Sequence, residues 1–295
     1  MKLYKATLKP ISSFGTPLKG DTFFGHICWA IVYKFGEKKL KKLLENYNEK
    51  PFLVVSDAFA KGYLPKPKMP SRYLNEDPAE KKENRKKVWL SLKDLQNGDF
   101  QNAKKDDDAQ KIKDKRVTVV RNSINYKTFT TDGDNFAPYG VEEYFFDEKD
   151  IYFLIDESCF GIDELEKSLK LLGEVGYGKD TTIGKGRFEI DKLQEVKIDF
   201  NATTYIGLSP FAVGDKKEIK NIFYEPFVRF GKLGGDRAYT NAFKKPILFL
   251  NSASVIVYKD KKERYFEGCA ISNISTYDDV IHQGYTILLP IKDIQ

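Results

Sequence analysis

Histidine, methionine and tryptophan each occur only twice in this chain, and cysteine three times. Cys28, Cys159 and Cys269 lie far apart and without C-x-x-C spacing. That argues against a disulfide framework or a zinc site and for a reducing compartment. With only His26 and His282 present, the side chain that most often moves protons near neutrality is scarce. There is no nucleophile elbow, zinc-ligand spacing or metal–carboxylate motif, so neither a metal nor a cofactor is expected. No apolar run approaches the roughly 18 residues needed to span a bilayer. The N-terminus alternates like a strand and lacks the blocks of a signal peptide. A cytoplasmic protein without a membrane partner is the expectation.

What the chain does have is charge and aromatic surface. Of its 295 residues, 31% are charged and 14% aromatic, and the net charge is +6. The length allows two domains. A mild positive excess suits an acidic partner. Tyr and Phe can stack on bases, although most belong in strands and cores.

The stretch from Gly176 to Ile190 concentrates these features. It packs Gly176, Gly178, Gly184 and Gly186, the cations Lys179, Lys185 and Arg187, and Thr181 and Thr182 between a helical and a strand pattern. Glycine permits positive φ and close backbone approach, and successive N–H groups in such loops form anion-binding concavities. The nucleotide P-loop G-x-x-x-x-G-K-[ST] is excluded, because five residues separate Gly178 from Gly184 and Gly186 follows Lys185. The dinucleotide pattern fails at Thr181, and the helix precedes the loop instead of following it. A phosphate polymer fits better than a mononucleotide. The plain alternative is a tight turn with solvated lysines.

Along the chain, Tyr4, Ala6 and Leu8 alternate with polar residues as a half-buried strand. The small polar loop Ser12–Pro17 follows. Asp21 is the expected N-cap of a helix carrying Phe23, Ile27, Ile31 and Phe35 on one stripe. Lys19 and Gly20 at its entry form a second candidate phosphate contact. A short polar helix is expected near Glu37–Asn46 and a strand at Phe52–Ser56. Between Asn75 and Arg116, twelve Lys or Arg stand against ten Asp or Glu with few apolar residues. This predicts an insertion, spanning about 65–135, that leaves the core and is mobile at its tip. Asp106, Asp107 and Asp108 are adjacent, but carboxylates in such a loop rarely form a fixed cage. Lys66, Lys68, Arg72, Arg116 and Arg121 make its flanks basic. Val141–Phe146 and Ile151–Ile155 are expected to pair as a hairpin across Asp147–Asp150. Asp163-x-x-Glu166 looks like a capping box for a helix that Gly173 ends, and Arg187–Ile190 is a strand.

Strand–helix–strand twice over predicts an α+β fold of ferredoxin-like, RRM-like type for residues 1–200. Residues 201–295 are strand-rich with weak helix signals. They are expected to form a second, degenerate domain of related build. In that half, Gly234-Gly235-Asp236-Arg237 is a turn, with Lys232 and Arg237 as candidate RNA contacts. No active site assembles from these residues. The enzymatic alternative is metal-free RNA cleavage with His26 as acid or base.

Taken together, Gly176–Phe188 resembles the glycine-rich loop of the RAMP superfamily of CRISPR proteins. The entry Leu18–Ala30, with Phe243-Lys244-Lys245-Pro246 and Gly284–Ile291, resembles the family of fourth Csm subunits of type III-A interference complexes. The loop departs from commoner versions by carrying Lys179-Asp180 where a second glycine is often seen. The resemblance implies a non-catalytic subunit that holds the repeat-derived 5′ tag of the crRNA. Its implied partners are the large cyclase subunit and a backbone RAMP subunit, with target RNA met indirectly. An arm, or thumb, would come from the insertion. On this view Lys19, Gly20, Gly178, Lys179, Thr181, Thr182, Gly184, Lys185, Gly186, Arg187, Arg121, Lys232 and Arg237 are the candidate RNA-binding residues. Phe14, Tyr126 and Phe129 are candidate stacking partners for unpaired bases.

Overall fold

A computed structural model describes residues 1–131 and 136–294. Its organising sheet contains the strands Lys2–Pro10, Leu53–Val55, Lys149–Ile155 and Phe188–Ile190. In space they lie fourth, first, third, second, and every neighbouring pair is antiparallel. The N-terminal helix Gly20–Phe35 connects the first strand to the second, and the helix Ile162–Val175 connects the third to the fourth. The chain order is thus β-α-β-β-α-β. The third strand is central, and all seven of its residues are buried. In the first strand Thr7 is also buried, because its hydroxyl donates to Asp150 on the neighbouring strand at 2.7 Å.

Both helices bury the stripe that their periodicity dictates: Phe23, Ile27 and Ile31 in one, and Leu165, Leu169 and Leu172 in the other. Their ends differ from the expected ones. Lys19, not Asp21, occupies the N-cap of the first helix; Asp21 sits inside the first turn and is buried. The second helix is capped at Gly161, whose amide donates to Glu164 at 3.0 Å, while Glu166 accepts from Leu193. Gly173 does not end this helix, which runs on to Val175. A Cβ at Gly173 would lie 2.3 Å from the Phe188 carbonyl oxygen, so glycine there lets helix and strand touch.

The insertion does not leave the core along its whole length. Leu64–Pro65, Lys87–Leu90 and Lys104–Lys105 form a small sheet. Leu74, Leu90, Leu95 and Phe100 are buried with the main core. Only the later part projects, as an antiparallel pair of Lys115–Arg121 with Tyr139–Phe145. The expected hairpin across Asp147–Asp150 does not form. Lys149–Ile155 pairs with the first strand instead, and Asp147 accepts the amides of Lys111 and Ile112 at the root of this arm. Residues 132–135, within the expected span of the insertion, lie outside the described residues.

Residues after 200 build a second antiparallel sheet from Ile219–Phe223, Val255–Glu263, Asn201–Gly207, Tyr285–Pro290 and Phe266–Gly268, in that spatial order. Ile206, Val255, Val257, Ile287 and Leu289 join the same core as the first sheet. The outer strand Leu53–Val55 is buried, and its free edge is sealed by Gln283, whose amide both accepts from and donates to Val55 at 2.9 Å. That covers backbone groups that would otherwise invite stray pairing. Among the described residues, no helix is long and apolar enough to cross a membrane.

Candidate nucleic-acid interface

The glycine loop is a folded turn zipped to a second loop. Gly186 donates to the Ser13 carbonyl at 2.8 Å, Arg187 to the Ser12 hydroxyl at 3.0 Å and Lys179 to the Thr16 hydroxyl at 3.0 Å. Tyr177 fastens the turn from below. Its buried ring packs 4.2 Å from Phe23, and its hydroxyl accepts the Lys19 amide and donates to the Pro17 carbonyl. The positive φ values at Gly176, Gly178 and Gly186 serve approach to protein rather than to a ligand. A Cβ at these positions would strike the Lys185 carbonyl, Thr16 and the Tyr177 backbone respectively. Gly184 alone of the four faces open space.

The loop's cations divide into two kinds. Lys179 and Arg187 are exposed, as is Thr182, and neither cation makes an ion pair among the described residues. The amides of Asp180, Thr181 and Thr182 also make no bond within the described residues, as expected for the start of a short turn. Lys185 is different. It is 4% exposed and pairs with Glu143 at 2.9 Å and Asp180 at 3.3 Å. Its ammonium is neutralised inside the protein and is not presented to a ligand.

Other expected contacts are also spent internally. The N-terminus of the first helix already holds an anion, the Asp57 carboxylate, which accepts the Gly20 amide at 2.9 Å and pairs with Lys19 at 2.7 Å. A Cβ at Gly20 would lie 2.2 Å from the Val55 carbonyl, so that end is packed shut. Arg121 pairs with Glu143, and Arg237 makes a two-pronged contact with Asp279. The glycine pair before Arg237 rests on the Trp29 indole. Lys232 remains exposed, 5.7 Å over the Phe243 ring. Phe14 is fully buried and stacks on no base, whereas Tyr126 and Phe129 on the arm are 86% and 81% exposed. The acidic triplet is engaged too: Asp106 accepts the Trp89 indole and Asp107 pairs with Lys113.

His26 is half-buried, and its Nε2 accepts the Gly178 amide at 2.9 Å. The ring is therefore neutral, with its proton on Nδ1. Burial pushes its pKa down to about 4. The same cause lowers His282, partly opposed by Asp21. In the unfolded chain both titrate near about 6.5. Between those values the unfolded state takes up protons that the folded state refuses, so stability is lost as pH falls from about 6.5 towards about 4. Urea midpoints measured from pH 8 to 4.5 should fall in this window, and His26→Gln should make the slope shallower. An unchanged slope would mean that His26 is not held neutral.

Residues that the sequence pattern did not single out complete the site: Ser12, Ser13 and Thr16 shape it, and Glu143 and Asp57 absorb its surplus cations. The small, polar character of Ser12–Pro17 was the available signal for the first three. Nothing local marks the two carboxylates.

A family model described as the RAMP superfamily matches residues 13–189. The chain is 26% identical over 170 residues to the CRISPR system Cms protein Csm4 of Methanocaldococcus jannaschii, an alignment that covers 50% of this chain and 45% of that protein. The match thus spans less than half of that relative. Among solved structures, one from a Csm1–Csm4 cassette in complex with AMPPNP superposes with a TM-score of 0.63 at 20% identity, covering 100% of both chains. Another, from a Csm3–Csm4 subcomplex of the type III-A CRISPR-Cas interference complex, gives 0.64 at 20% identity, covering 99% of this chain and 100% of that one. At such identities these two establish a shared fold.

Proposed function

Since the chain belongs to the RAMP superfamily, we propose that it is a non-catalytic crRNA-binding subunit of a type III-A interference complex, holding the 5′ tag of the guide. The observation that carries this is the division of the loop cations. Among the described residues Lys179 and Arg187 stay unpaired and exposed on a rigid turn, while Lys185, Arg121 and Lys19 are neutralised. Fixed cations with an exposed threonine beside them grip phosphates and set register without reading bases. The open side of Gly184 leaves room for a backbone to pass. Lys232 and the arm aromatics Tyr126 and Phe129 extend the surface, the latter two as stacking platforms.

The β-α-β-β-α-β order supports a ferredoxin-like domain over residues 1–200, with the strand-rich remainder as its degenerate partner. The projecting pair Lys115–Arg121 and Tyr139–Phe145 is the candidate thumb. The structural relatives come from assemblies with Csm1 and Csm3, which supports docking to a large cyclase subunit and a backbone subunit. The committed acceptor nitrogen of His26 favours a binding role over RNA cleavage, and work within such a complex would suit a cytoplasmic protein.

Charge reversal of both loop cations, Lys179→Glu with Arg187→Glu, should weaken tag-RNA binding on the order of ten- to a hundredfold at moderate salt. The slope of log affinity against log salt should fall by about 1.4, the value for two lost single-strand contacts. Equal affinity and slope in variant and parent would remove the proposal. Incubation with repeat RNA in EDTA is the companion assay; specific cleavage abolished by His26→Ala would favour an enzyme.

A further inference from the structure

The strand Tyr139–Phe145 turns one side towards the body. Val141 and Glu143 are buried there, while Tyr139, Glu142 and Phe145 are exposed. A buried carboxylate on an otherwise exposed two-stranded arm needs partners, and Glu143 has three. Lys185 of the glycine loop lies at 2.9 Å, the Ser13 hydroxyl donates at 2.9 Å, and Arg121 reaches it from the opposite arm strand at 2.9 Å. The Lys185 hydrogen bond, with Ser13 and Arg121, holds the Glu143 pKa below its ordinary value despite burial. With Asp180 on Lys185, two carboxylates balance two cations. The arm's other tie to the body close by is the paired backbone bridge of Phe14 with Tyr144. Two-stranded hairpins are marginal on their own, so the direction of the arm is set by these contacts.

We propose that Glu143 is a positioning residue: a latch that fixes the arm to the glycine loop, so that the two contact a bound RNA in one register. The RNA half of this statement rests on the function proposed above; the mechanical half does not. The latch spends Lys185, the loop's buried cation, on the arm and leaves Lys179 and Arg187 for the ligand. Its loss therefore disturbs where the arm sits more than how tightly the loop binds.

The test uses the full chain with tag RNA, a photo-crosslinking phenylalanine analogue at the exposed position 129, and hydrogen exchange. In Glu143→Gln, exchange of amides in 115–121 and 139–145 should rise at least tenfold, with 149–155 unchanged. Crosslinks from position 129 should spread from one or two nucleotides to several, while affinity changes less than threefold. Glu143→Gln can leave Lys185 short of charge and weaken the fold. The double variant Glu143→Gln with Lys185→Met removes both charges together and should show the same spread with near-normal stability. Unchanged arm exchange in both variants overturns the latch. If position 129 crosslinks no RNA even in the parent, the RNA reading fails, and exchange alone decides whether the latch stands.

Discussion

Replacing Asp21 by alanine is expected to cost on the order of 3–5 kcal/mol, the usual consequence of removing one member of a buried charge pair. Asp21 is almost wholly buried in the first turn of the N-terminal helix. Both its oxygens accept from the Arg229 guanidinium, and one lies 3.0 Å from His282 Nε2. Lys244 in turn lies 3.3 Å from His282 Nδ1. The helix packs on the first sheet and the other three residues come from the chain after residue 200, so this network ties the two halves of the chain together. Burial alone would raise the Asp21 pKa, but His282 and Arg229 outweigh it and hold the carboxyl well below its ordinary range. The contribution is therefore complete above about pH 4, the unfolded value, and is lost on acidification. A surface pair such as Lys9–Asp191, half-exposed on both sides, is the control: Asp191→Ala should cost less than about 1 kcal/mol. Equal urea midpoints for the two variants would show that the buried network does not hold the two halves of the chain together. Total stabilities of about 5–15 kcal/mol make the expected loss large enough to see directly.

Where hydrophobic period dominates, the fold was legible from the residues. Phe23, Ile27 and Ile31 announced one helix, Leu165, Leu169 and Leu172 the other, and the weak helix signals after residue 200 left that half to strands. Pairing was not legible. Val141–Phe146 and Ile151–Ile155 look like hairpin neighbours because they are close in sequence. Yet Lys149, buried at the intended turn, pairs with Asp114, and Asp147 caps the amides of Lys111 and Ile112. Those polar bonds turn the chain into the arm's root and free the next strand for Lys2–Pro10. The insertion's anchoring is hidden for a related reason. Its charge count hid four separated residues, Leu74, Leu90, Leu95 and Phe100, that anchor it to the core.

The candidate site was half legible. The clustered glycines mark a tight turn, and Lys179 and Arg187 lie exposed on it. What composition cannot display is which cations are already spent. Lys185 meets Glu143 across 42 positions of chain and Lys19 meets Asp57 across 38. Such neutralising partners are fixed by the tertiary fold alone, since any of the chain's many carboxylates would serve equally from a distance. The same applies to glycine. Close approach was foreseen at the loop, but at three of the four positions the approaching group is the protein's own backbone or Thr16.

That distinction yields a second large effect, in Gly186→Ala. The residue has φ of +74°, and a Cβ there would lie 2.1 Å from the Tyr177 carbonyl oxygen and 2.7 Å from its nitrogen. These are backbone atoms, so no rotamer change relieves the clash; the turn itself must open. Opening breaks the Gly186 bond to Ser13 and the Tyr177 bond to Gly186, and the left-handed conformation adds about 1–2 kcal/mol. A loss on the order of 4 kcal/mol is expected, at the upper end for one substitution, together with loss of tag-RNA binding as Lys179 and Arg187 separate from their seat. Gly184→Ala is the matched comparison. Its φ is +87° but nothing lies within 4 Å of the added carbon, so only the conformational penalty of about 1–2 kcal/mol applies. Urea denaturation of the two variants separates a seated turn from a loose one: similar small losses would mean that the loop is not packed against Ser13 and Tyr177, and that its cations are not held rigidly enough to set the register of a bound strand.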